Sequence, residues 1–76
     1  MLKELDPVVL VRDIPDRHLD EGDVGTVVHV YGDAKTYEVE FLTAEGRTVA
    51  VLTLPADALR KPEDRDMLHV RRLASA

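Results

Sequence analysis

The chain lacks cysteine and tryptophan and contains only two tyrosines and one phenylalanine among its 76 residues. Without cysteine it has no disulfide, no thiolate nucleophile and no cysteine-based zinc site. Small secreted domains usually depend on disulfides, so we expect a cytoplasmic protein. The few aromatic side chains also leave little surface on which the bases of a nucleic acid could stack.

Long apolar runs are absent as well. The opening stretch, MLKELDPVVLV, contains Glu4 and Asp6, and its apolar run ends before Arg12. Such a stretch fits neither a signal peptide nor a membrane span, and we expect it to belong to the mature fold. The sequence therefore predicts no membrane partner.

Signatures of catalysis and of cofactor binding are missing too. The chain has no serine–histidine–aspartate arrangement, no phosphate-cradling loop and no cofactor motif. A chain of this length forms one domain, and folding buries only about 60% of the surface that the unfolded chain exposes. Such a small core has little room for a buried active site. We therefore expect a protein that is not an enzyme, with no catalytic residue and no cofactor.

Some polar residues allow a sharper interpretation. His18, His29 and His69 are of the type that commonly ligates metals, but they lack a paired spacing, which favours exposed or edge positions and no metal. Glu38 and Glu40 lie on one side of a predicted strand and resemble an acid–base pair. Catalysis would need a concave pocket around them, so we favour an exposed strand face.

Five acids cluster around a polar loop and could gather a divalent cation. They miss the spacing of a calcium loop, so we favour solvated, turn-forming roles. The acids are Asp13, Asp16, Asp20, Glu21 and Asp23.

The formal net charge is −5, from 10 basic and 15 acidic residues. All of the imbalance lies before Pro62, in the predicted barrel. Because phosphate backbones are bound by lysine and arginine, this charge disfavours nucleic acid as a partner. The basic residues that could still contact a phosphate are Arg12, Arg17, Arg47, Arg60 and Lys61.

Apolar residues recur mostly with the two-residue period of strands, and turn residues separate them at short intervals. This pattern predicts four strands, at 7–13, 23–31, 36–42 and 47–54. The polar segment 14–22 is predicted to be a long loop. A 3₁₀ turn in PADALRK then precedes a short fifth strand around 59–61. The predicted fold is an all-β, five-stranded SH3-like barrel over residues 1–62, with an open meander as the alternative.

The stretch EGDVGTVVHVY holds two glycines three residues apart. Gly22 enters the second strand, where a glycine can adopt left-handed backbone angles, and Gly46 supplies the positive φ of a hairpin turn. Gly25 lies within the strand and marks a bulge or the close approach of another backbone. We interpret all three as structural glycines that help a small barrel to close.

The segment GDVGTVV resembles the glycine motif of KOW-type and other SH3-like barrels. A larger set of segments resembles the DUF4926 family of small bacterial proteins, over roughly residues 5 to 61. These segments are VVLVRDIP, GDVGTVVHVY, YEVEF, G-R-T and LTLPADALR. The resemblance implies an SH3-like fold in a bacterial protein, and it brings no activity, substrate or catalytic residue.

The extension 63–76 permits two interpretations. Pro62 suits a first helical turn, acids follow it and Arg71 and Arg72 come near the end, which matches a helix dipole. In such a helix Met67, Val70 and Leu73 or Ala74 would share one side. The alternative is a frayed extension, since short isolated helices are marginal in water.

The first and fourth predicted strands have apolar residues on both faces. A small barrel alone would cover only the inward-facing set. We therefore predict a protein-interaction module of unknown partner that contacts it through the outer valines and the loop. The candidate surface is Val9, Val11, Val49, Val51, Arg17 and His18. A homodimer through an exposed strand edge or this apolar face is one form of it. The alternatives are a diverged KOW-like nucleic-acid-binding barrel and an accessory domain of a larger enzyme complex.

Overall fold

The computed structural model describes residues 2–73. The five strands are β1 (Pro7–Leu10), β2 (Val24–Val30), β3 (Thr36–Leu42), β4 (Thr48–Pro55) and β5 (Leu59–Arg60). They form one antiparallel sheet in the order β4-β3-β2-β1-β5. Two 3₁₀ turns, Pro15–Arg17 and Ala56–Ala58, are the only helical segments in the part of the chain described. Within 2–73 no helix is long and apolar enough to cross a membrane.

The predicted all-β class, the five strands and the 3₁₀ turn before the last strand are confirmed. The third strand has its predicted bounds, whereas β1 ends at Leu10 rather than Asp13 because the chain turns there into the loop. Strands β4 and β5 lie at opposite edges of the sheet, and no pairing joins them within the described residues. The barrel is therefore not closed.

The core lies on one face of the sheet and follows the predicted two-residue alternation. Tyr37, Val39 and Phe41 of β3 are buried, and they pack with Val8 and Leu10 from the neighbouring part of the sheet. The buried hydroxyl of Tyr37 donates a hydrogen bond of 2.9 Å to the backbone oxygen of Ala34. That bond satisfies the one polar atom that this side chain brings into the core.

The loop after β1 is less polar in its contacts than its composition suggested. The backbone N–H of Ile14 donates to the oxygen of Leu19 at 2.8 Å, and the N–H of Leu19 returns a bond of 3.2 Å. This pairing folds the loop back so that Leu19 is only 3% exposed and joins the core. The predicted loop over 14–22 is therefore confirmed, but one of its side chains, Leu19, belongs to the core.

The three glycines have two different structural roles. Gly22 and Gly46 have φ of +95° and +88°, as turns of this kind require. Gly25 is packed tightly: a Cβ built there would lie 2.7 Å from Val39 Cγ1 and 3.0 Å from the backbone oxygen of Glu40. Gly25 therefore marks a close approach, and the irregularity in β2 lies farther along, between Val27 and His29.

The extension contains no helix over residues 63–73. The helical alternative is wrong there, because Asp66 and Arg71 make ion pairs with the sheet and the loop instead of pairing within a helix. Met67 and Val70, which that alternative placed on a common side, are both exposed. Ala74 lies outside the described residues. We call residues 61–73 the tail.

Replacement of Gly25 by alanine should destabilise the protein by about 1–3 kcal/mol, because the new methyl group must displace Val39, Phe41 or the backbone of Glu40. Urea unfolding of the purified variant measures this loss.

Gly32→Ala is the matched control, since nothing lies within 4 Å of its built Cβ and its φ is not positive. We expect Gly32→Ala to be neutral or stabilising by up to about 1 kcal/mol. Equal stability of the two variants would contradict the close approach at Gly25.

Candidate interaction surface

Ion pairs of two arginines, Arg60 and Arg71, attach the tail to the rest of the molecule. Near its start, Arg60 of β5 donates two hydrogen bonds to the carboxylate of Asp66, of 2.7 and 2.9 Å. Near its end, Arg71 donates to both oxygens of Asp23, at 3.0 and 2.6 Å, and to the backbone oxygen of His18 at 3.0 Å. The fork of each arginine therefore fixes one end of the tail.

These contacts also determine the pKa values of the two carboxyl groups. Burial in itself raises the pKa of Asp23, but the hydrogen bonds from Arg71 and from the backbone N–H of Asp20, with the charge of Arg71, lower it overall. The hydrogen bond from Arg60, followed by that from the backbone N–H of Glu63, lowers the pKa of Asp66 from 3.8 to about 2. Both carboxylates are thus held in their charged form.

Between the two ion pairs the tail borders a groove of about 760 Å³. Val24 and Leu42 line it from the ends of β2 and β3, and both are exposed. Met67, Leu68 and Val70 line it from the tail, and they are more exposed still, with Leu68 at 82%. The groove is therefore a concave surface with apolar side chains open to solvent on both of its sides.

The predicted valines do not form one surface. Val9 and Val49 line the groove, but Val9 is only 5% exposed, and its strand β1 has a paired strand on each side. The expectation that Val9 is available for contact was therefore wrong. Val51 is 43% exposed on β4, and Val11 is 37% exposed beyond the end of β1. Neither of these two borders the groove.

The two predicted loop residues lie apart from the groove lining. Arg17 and His18 are exposed, at the end of the first 3₁₀ turn. His18 has a left-handed backbone with φ of 59°, and its backbone oxygen accepts the hydrogen bond from Arg71. The loop thus contributes a backbone group that holds the tail.

The paired glutamates of β3 lie on the outer face of the sheet and take part in local hydrogen bonds. Glu38 accepts a bond of 2.9 Å from the hydroxyl of Tyr31, and Glu40 accepts one of 3.0 Å from Thr48. His29 packs edge-on against Tyr31 with ring centroids 4.6 Å apart. These residues do not line the groove.

The acids of the loop form hydrogen bonds within the loop and its surroundings. Asp13 accepts a bond of 2.7 Å from the backbone N–H of Glu21, and Asp23 accepts one of 2.8 Å from that of Asp20. Among residues 2–73 no three histidines or acids come together in an arrangement that could hold a metal ion.

Two of the five basic residues considered for phosphate contact already have acidic partners. Arg12 lies 3.2 Å from Asp57, and Arg60 holds Asp66. Arg17, Arg47 and Lys61 are exposed and make no ion pair within the described part of the chain.

Sequence reasoning missed two essential contributors to this surface. Leu19 had a detectable signal, because it is one of the few large apolar residues in an otherwise polar loop. The contact between Arg71 and Asp23 had none, since 48 residues separate them in the chain. No local pattern indicates which of fifteen acids an arginine will meet.

Comparison with known proteins identifies a family but no activity. A family model described as a domain of unknown function (DUF4926) matches residues 4–61. No curated protein and no solved structure matches the chain.

Replacement of Arg71 by glutamine should release the end of the tail, because it removes the bidentate bond to Asp23. We expect the free energy of tail docking to fall by about 1 kcal/mol. The released tail would then be populated about fivefold more, and chymotrypsin would cleave near Leu68 about fivefold faster. Arg72→Gln is the matched control, since Arg72 makes no ion pair within residues 2–73. Equal cleavage rates for the two variants would show that the ion pair does not hold the tail.

Acid should also release the tail. The pKa values of Asp23 and Asp66 are lowered in the folded protein, so their contribution to docking is complete above the ordinary value of 3.8. It is lost as pH falls through the lowered values, which for Asp66 is about 2. NMR shifts of tail amides, followed against pH with sheet amides as the internal control, should show this step. In the Asp66→Asn variant, the pH-dependent change in amide shifts at the start of the tail should disappear. A change that persists there would show that Asp66 is not the group responsible.

Proposed function

Because the chain belongs to the DUF4926 family, which is described only as a domain of unknown function, we propose a function from the surface of this chain itself. We propose that the protein is a non-catalytic protein-interaction module. Its groove between the sheet and the tail receives an apolar segment of a partner protein.

The observation that supports this proposal is the exposure of the apolar side chains around one concave surface. Large apolar side chains that are exposed singly are common, but a contiguous set around a groove is characteristic of binding sites. Here Leu42, Met67, Leu68 and Val70 are exposed, and they border the same groove. Burial of these side chains by a partner would remove apolar area from water, at roughly 25 cal/mol for each Å².

The charges around the groove define the chemistry of the partner. Asp20, Glu21 and Asp23 line one side, and Arg71 pairs with Asp23 and approaches Asp20 at 3.5 Å. Glu21 has no basic partner among the described residues, and the net charge of the whole chain is −5. A segment with apolar residues flanked by lysine or arginine complements this groove in shape and in charge.

The remaining features agree with a binding role in the bacterial cytoplasm. The chain has no cysteine, and the candidate acid pair Glu38 and Glu40 is half-buried and lies outside the groove. We do not favour a nucleic-acid ligand, because Arg12 and Arg60 are neutralised by acids and the chain is acidic overall.

Replacement of Leu68 by serine should weaken partner binding about tenfold, as expected for loss of a central apolar contact. The partner is first captured from a lysate of the native host with a photo-crosslinking residue at position 68, then purified and titrated by calorimetry. The affinity should also fall as salt is raised, since basic flanks meet an acidic rim.

Leu5→Ser is the matched control, because Leu5 is 78% exposed, like Leu68 at 82%, and does not line the groove. Binding that tolerates Leu68→Ser as well as Leu5→Ser would exclude the groove as the site. Affinity for mixed DNA and RNA oligomers with a steep salt dependence would instead favour the nucleic-acid function.

A further inference from the structure

The two edges of the sheet differ in how well they are protected. The β5 edge is a strand of two residues, and Lys61 and Pro62 follow it directly. The ion pair between Arg60 and Asp66 also anchors the tail there. Short length, lysine and proline are the devices with which proteins prevent sheet edges from pairing. This edge is therefore blocked.

The β4 edge has almost none of these devices. It is the longest strand, Thr48–Pro55, and it contains no charged residue although one third of the chain is charged. Its only proline is the last residue. A register shift opposite Phe41 and Leu42 disturbs its beginning, so the regular part of the edge is Ala50–Pro55. Strand β4 is thus neutral and rich in β-branched residues, and most of its outer edge is open.

The backbone of β4 also has no second partner. Its ladder bonds go to β3, and within residues 2–73 no other backbone hydrogen bond involves 48–55. Val51 lies in the middle of the strand with 43% of its surface exposed. An unpaired edge with an exposed β-branched residue at its centre is suited to pair with another strand.

We propose that β4 pairs antiparallel with β4 of a second copy of this chain, about a two-fold axis close to Val51. The two sheets then become one sheet of ten strands. This inference does not depend on the groove, because Val51 is not among the residues that line it.

A second copy fits this edge better than an unrelated strand, because the edge is complementary to itself. Antiparallel pairing about a two-fold axis places Val51 against the same residue of the other copy, so the two exposed valines cover each other.

The assembly should stop at two copies. Each copy has one open edge, at β4, and the pairing uses the β4 edge of both copies. The β5 edges remain blocked, so no third copy can add. A pairing of this length buries less area than the roughly 1,000 Å² of a stable interface, so the dimer is weak and depends on concentration. Since each copy carries −5, salt should strengthen it.

Sedimentation equilibrium across the micromolar range tests the proposal on the full chain. The unmodified protein should pass from monomer to dimer, and amides of β4 should become protected from hydrogen exchange as concentration rises. Val51→Lys places two like charges opposite each other and should weaken the dimer about tenfold. Val11→Lys is the matched control, with a valine 37% exposed outside the sheet edge, and should dimerise like the unmodified chain.

A second variant keeps the test decisive if Val51→Lys disturbs the fold. The chain has no cysteine, so Val51→Cys introduces a single thiol. Directly opposed residues in antiparallel strands have Cα atoms about 4.5–5.5 Å apart, within the range of a disulfide. Val51→Cys should therefore form a covalent dimer on oxidation, much faster than Val11→Cys. A monomer at all concentrations, or a dimer in which Val51→Cys and Val11→Cys react alike, would overturn the proposal.

Discussion

The structure depends on covering both faces of β1. The inner side chains of this strand, Val8 and Leu10, are buried in the core, and Val9 on the other face is nearly as inaccessible. A single small sheet shields only one face of its strands from water. On the second face, Val9 lines the groove that the extended tail borders.

The way in which the tail is attached determines its properties. Its two attachments are ion pairs, and exposed ion pairs contribute little to stability. The apolar side chains between the attachments, Met67, Leu68 and Val70, are open to solvent instead of packed into the core. The result is a segment with a defined position that few contacts hold in place.

Much of the sheet could be predicted from local patterns. The alternation of Tyr37, Val39 and Phe41 with the glutamates of β3 gave the strand and its buried face, and both were correct. The positive φ of Gly22 and Gly46 also followed from their places in turns. The candidate surface was less predictable, because exposure depends on what passes over a residue. Val9 and Val51 have the same side-chain chemistry, yet Val9 lies on an interior strand and is buried, whereas Val51 lies on an edge strand and is exposed.

The sequence by itself determined the strand positions, the turn glycines and the absence of thiol chemistry, since each of these follows from residue type and local spacing. Only the tertiary structure decided that Leu19 belongs to the core, that the tail is extended, and that β4 is an edge. The physical reason is that each depends on contacts between distant parts of the chain. The meeting of Arg71 with Asp23, across 48 residues, is the clearest case, because the energy of an ion pair depends on distance in space and not on separation in sequence.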